Sequence, residues 1–101
     1  MKPRSTIVKH ELTNAKTRFN RELATRGPGH RDTTLAQAAL FEVTIKKLER
    51  KQQKILDLRR RLQRQGHTIE ETRNLRMESR EIGEQINFAK TTLKEIAKKL
   101  Q

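Results

Sequence analysis

Residues 58–77 read LRRRLQRQGHTIEETRNLRM, and the break inside this stretch decides the fold. Gly66 interrupts a helical pattern, and Thr68-x-x-Glu71 has the form of a capping box, in which two side chains satisfy the first orphan N–H groups of a new helix. Upstream, a seam runs through Ala38, Phe41, Ile45, Leu48, Gln52, Ile55, Arg59 and Leu62. Downstream, a second seam runs through Leu75, Ser79, Ile82, Ile86, Ala89, Leu93, Ile96 and Leu100. The alternation of three- and four-residue steps is the coiled-coil spacing. Two helices of about 33 residues, each about 50 Å long at 1.5 Å per residue, joined by so short a bend, are expected to fold back antiparallel.

The seam is uneven. Its end far from the bend is wholly apolar, whereas Gln52, Arg59 and Ser79 interrupt it near the bend. Unpaired polar groups buried there cost about 1–3 kcal/mol each, so this end is expected to be wetter and looser. Gly83, beside the second seam, lowers helix propensity by up to roughly 1 kcal/mol relative to Ala. Either close backbone approach or simple tolerance accounts for it.

Further out, RGPGHRD (26–32) reads as a linker, because Pro between two glycines defeats a helix. Before it, residues 5–25 place Val8, Leu12, Ala15, Phe19 and Leu23 on one helical stripe. After it, Thr34-x-x-Gln37 forms another possible capping box. The expected architecture is therefore all-α: a basic N-terminal amphipathic helix and linker (1–31), then an antiparallel helical hairpin (32–101). Leu40, Val43 and Phe88 leave the seam at one level. They are expected to meet either residues 5–25 or a second copy, giving a dimeric helical bundle.

Composition agrees with a small core. Leu, Ile, Val and Phe make up 23 of 101 residues, just above the range of disordered chains, and so small a chain often completes its core by oligomerising. No cysteine is present, which excludes disulfides and thiolate metal sites. No apolar run approaches the ~20 residues of a membrane span, and the apolar part of the basic start MKPRSTIVK is too short for a signal peptide. The expected protein is soluble and intracellular.

Charge points to a partner. The chain holds 24 Lys+Arg against 12 Asp+Glu, a net +12, with pI ≈ 11.0. Residues 1–31 contribute +6, residues 32–65 +5, and residues 66–101 only +1. The last helix is mixed in sign, with Glu70, Glu71, Glu78, Glu81 and Glu84 among Arg73, Arg76 and Arg80. The candidate phosphate contacts are Lys47, Arg50, Lys51, Lys54, Arg60, Arg61 and Arg64, with Arg73 across the bend. Positions 47, 50, 54, 61 and 64 share a helical face. Each phosphate neutralised by such a cation releases condensed counterions, which drives binding without reading sequence. Arginine's planar fork also suits phosphate oxygens. A merely solvated face is the plain alternative for any single run, but a whole-chain excess favours a polyanion.

With three Phe and no Tyr or Trp, little is available to stack on unpaired bases. A rigid rod of about 50 Å instead suits a duplex read by shape, comparable to the ~16 bp footprint of double-stranded-RNA-binding modules. RNA is favoured over DNA, although no reader of the 2′-hydroxyl is identifiable. Catalytic chemistry finds no foothold. HELTN (10–14) has Asn14 where a zinc hydrolase motif needs its second His, and His10, His30 and His67 lie in separate segments. Ser5 and Ser79 lack a base, and no Gly-rich stretch forms a P-loop. No enzyme activity, metal or cofactor is expected.

Two functions of different classes follow. The first is a homodimeric hairpin that coats or sequesters duplex nucleic acid. The second is a coiled-coil adaptor or secretion-type chaperone whose protein partner completes the leaky seam. An interfacial membrane helix over residues 5–25 is weaker, since Phe19 is its only strong aromatic anchor.

Overall fold

A computed structural model of the chain describes residues 4–101, with side chains from His10 onward. The protein is all-α. Helix α1 spans Arg4–Arg26, α2 spans Arg31–Arg64 and α3 spans Arg73–Lys99, and no strand occurs among the described residues.

Two glycines end the first two helices. Gly27 (φ +80°) and Gly66 (φ +95°) adopt left-handed backbone, a conformation with no steric penalty for glycine. At Gly66 the motif is complete: its N–H donates to the Gln63 carbonyl and that of His67 to the Leu62 carbonyl, each at 3.1 Å, closing the last orphan carbonyls of α2. Helix starts depart from the sequence expectation. His30, not Thr34, caps α2, its ring nitrogen accepting the Asp32 N–H at 3.1 Å, while the Thr34 hydroxyl donates back to the His30 carbonyl. The Thr68 hydroxyl does accept the Glu71 N–H at 3.2 Å, but that box closes a turn, and α3 begins only after Thr72.

Helix α2 packs against both neighbours, while α1 and α3 do not approach each other among the described residues. The molecule measures 56 × 33 × 19 Å with a radius of gyration of 17.3 Å, against about 13 Å for a compact chain of this length. Helices are about 10–12 Å across, so these dimensions are those of a single layer with α2 in the middle.

Between α2 and α3, Ile45, Ile82, Ile86 and Ala89 form the buried cluster, and Phe41, Leu48, Ile55 and Leu93 pack against it. Contacts descend α2 as they ascend α3: Gln52 meets Ser79 and Glu49 meets Lys90. The polar residues in the seam are not all wet. The Gln52 amide donates to the Ser79 carbonyl at 3.1 Å, using that oxygen's second lone pair. Gly83 makes the room: a Cβ there would stand 3.1 Å from Gln52 Nε2. Arg59 keeps the expected defect, because its Nε is buried without a hydrogen-bond partner.

On the other side of α2, Thr33, Ala36, Leu40 and Val43 recur at three- and four-residue steps on a face turned away from the α3 seam. Thr33 and Ala36 are buried and the other two half-buried, because α1 covers them. The Thr33 hydroxyl donates to the Glu22 carbonyl of α1 at 3.2 Å, and Ala36 lets the backbones come close. Within α1, Leu12 is buried, Ala15 and Phe19 are half-buried, and Leu23 is exposed at its end. Val8, expected on the same stripe, lies outside the described side chains. At the α1–α2 junction Arg26 Nε stands 2.9 Å from the Glu22 carboxylate, a charge contact without hydrogen-bond alignment.

Candidate nucleic-acid interface

The α2 stripe that α1 covers continues beyond α1 with changed chemistry. After Val43 the same spacing brings Lys47, Arg50, Lys54, Asp57, Arg61 and Arg64. The first part is apolar and covered. The second is charged and open. All eight predicted cations (Lys47, Arg50, Lys51, Lys54, Arg60, Arg61, Arg64 and Arg73) are exposed, and among the described residues none joins an ion pair. Their charge is thus not cancelled by an ion pair among the described residues, and free guanidinium and ammonium groups are what phosphate contact requires.

They are not one uniform row. Arg60 and Arg64 flank Gln63 in a shallow depression near the bend. Arg50 lines a wider groove between the helices, with Lys46 and Gln53 on α2 and Gly83, Asn87 and Lys90 on α3. Lys51 and Lys54 lie in neither. Asp57 stands in the middle of the stripe, its carboxylate accepting from Gln53 Nε2 at 2.9 Å. The candidates read from the sequence include neither Lys46 nor the interrupting Asp57, although continuing the three- and four-residue count from Lys54 reaches Asp57 directly.

At the bend, Glu71 Oε2 lies 2.6 Å from His67 Nδ1. The His67 hydrogen bond holds the Glu71 carboxyl below its ordinary value, and hydrogen bonds from Thr68 act the same way. One acid at the bend is therefore engaged locally instead of opposing the nearby arginines.

Leu40, Val43 and Phe88 do not share one patch. Leu40 and Val43 sit half-buried on the α1 side of α2, whereas Phe88 is 73 % exposed on the outer side of α3, beside Glu81, Glu84 and Gln85. Helical phase is the reason: both helices turn these positions outward from a shared seam, in different directions. Of the two covers considered for the trio, α1 takes the α2 pair and leaves Phe88 open.

Among the described residues, no three His, Asp or Glu side chains are grouped to hold a metal ion, and no helix is long and apolar enough to cross a membrane. No protein-family model, curated protein or solved structure matches the chain.

Proposed function

We propose that this is a non-enzymatic, basic helical-hairpin protein that binds duplex nucleic acid through phosphate-backbone contacts. Double-stranded RNA is favoured over DNA, and the protein coats or sequesters its target without modifying it. The antiparallel coiled-coil hairpin formed by α2 and α3 is the rigid rod, and a homodimer joined through exposed Phe88 belongs to the same proposal. One observation carries the reading: eight exposed cations along α2 and the bend, none of them paired within the described chain. Each retains its full counterion-releasing charge.

The alternative is a coiled-coil adaptor or chaperone for a helical or acidic protein. Exposed Phe88 and the unpartnered Arg59 Nε favour it, while the satisfied Gln52 amide weakens the case for a leaky seam. Fluorescence anisotropy with equal-length duplex RNA, duplex DNA and single-stranded RNA separates the two. Sub-micromolar duplex binding that falls steeply with salt is expected, with RNA bound more tightly than DNA. Indifference to duplexes near physiological salt would reject the proposal in favour of the protein partner.

A further inference from the structure

The acid and base of α3 interleave in sequence but separate in space. Arg73, Arg76, Arg80, Gly83, Asn87, Lys90 and Lys94 follow one another at three- and four-residue steps, so they form one longitudinal stripe beside the seam. Glu78, Glu81, Gln85 and Phe88 follow the same rule and, with Glu95 one heptad further on, form the stripe on the seam's other side. The helix whose segment contributes least to the net charge is thus strongly polarised across its width.

The basic stripe faces the same way as part of α2. Gly83, Asn87 and Lys90 share a groove with Lys46 and Arg50, and Lys90 Nζ reaches Glu49 of α2 at 3.7 Å. Arg60 lies two heptads beyond Lys46 and falls on the same side. Arg80 is loosely engaged by Glu84 at 4.0 Å and Lys90 by Glu49. The six that remain, Lys46, Arg50, Arg60, Arg73, Arg76 and Lys94, are exposed and unpaired among the described residues.

We infer that the duplex lies across this broad two-helix side, with α3 supplying Arg73, Arg76 and Lys94 as phosphate contacts alongside Lys46, Arg50 and Arg60 of α2. This rests on the duplex-binding reading and says which surface performs it. Arg73 to Lys94 spans about 30 Å of helix, and helix axes at a packed seam lie about 8–10 Å apart. The result is a plane of charge, not a line. A pair of helices about 20 Å wide cannot enter a B-DNA major groove about 12 Å wide. It lies instead across backbones, which suits the wide, shallow minor groove of A-form RNA. The acidic stripe on the opposite side repels phosphate, whereas on this side Glu49 is engaged by Lys90 and Glu42 stands in the groove beside Lys94. Of the predicted cations, Arg50, Arg60 and Arg73 belong to this side and Arg64 sits beside Arg60 at its edge, while Lys47, Lys51, Lys54 and Arg61 line neither depression.

The test compares full-length variants of equal charge change on a duplex RNA of about 20 bp. One carries Arg73→Ala, Arg76→Ala and Lys94→Ala; the other carries Lys47→Ala, Lys51→Ala and Lys54→Ala. Six phosphate contacts predict a log–log salt slope of about −5 for the native protein, and each lost contact removes about 0.9. The first variant is expected to flatten the slope by about 3 and weaken binding at least tenfold, the second to change the slope by less than about 1. Glu49→Gln, which frees Lys90, is expected to steepen it by about 1. Equal losses from both triple variants, or a larger loss from the second, would overturn the face assignment while leaving duplex binding intact. A native protein that binds no duplex would overturn the parent reading and this one with it.

Discussion

The two ends of the α2–α3 seam share one heptad spacing and use it differently. Far from the bend the buried seam positions are isoleucine and alanine with Phe41, Leu48 and Leu93 packed against them, and this burial holds the helices together. Toward the bend they include Gln52, Arg59 and Ser79, and one amide–carbonyl bond stands where a side-chain cluster would be. Spacing thus sets where helices meet, while residue type sets how much that meeting contributes.

The sharpest way to break this contrast is truncation at matched seam positions. Ile86→Ala removes a side chain buried in the cluster and is expected to cost about 3 kcal/mol. Ile55→Ala, half-buried nearer the bend, is expected to cost about 1 kcal/mol. Chemical denaturation of both checks this, and equal losses would show that the two ends contribute alike. Next in size, Arg59→Leu replaces an unpaired buried donor with an apolar side chain and is expected to stabilise by about 1 kcal/mol. A lower denaturation midpoint would show that the guanidinium supports the seam.

The smallest effect lies at the bend itself. Because the Glu71 carboxyl is held below its ordinary 4.5, its contribution to stability is fully present above that value and is lost as pH falls through the lowered folded one. The melting-temperature advantage of the native protein over Glu71→Gln is therefore expected to shrink toward zero as pH falls below the ordinary carboxyl value into stronger acid. An advantage that grows on acidification would contradict the assignment.

Most of the helical architecture was legible because burial follows apolar periodicity, and Gly66 announces its own left-handed turn. The start of α2 was not: histidine is an uncommon cap, and Thr34-x-x-Gln37 has the more usual form. The side of α2 that α1 covers was legible only as one of two alternatives for Leu40 and Val43, since an apolar stripe does not name its partner; small residues at Thr33 and Ala36 admit a close neighbour there. Among the candidate contacts, the exposed cations of α2 followed from charge and spacing together. Beyond Arg73, those proposed on α3 were hidden by adding charges along a segment, which discards helical phase and makes a two-sided helix look neutral.

The central position of α2 also orders how the molecule comes apart. Releasing α1 or α3 severs one interface, whereas releasing α2 severs two, so an outer helix is expected to open at lower cost than the central one; α1 is the outer helix whose opening changes the character of α2. Its opening uncovers Thr33, Ala36, Leu40 and Val43 directly in line with Lys47, Arg50 and Lys54. For as long as it lasts, that opening turns a half-covered helix into one amphipathic strip, greasy at one end and cationic at the other.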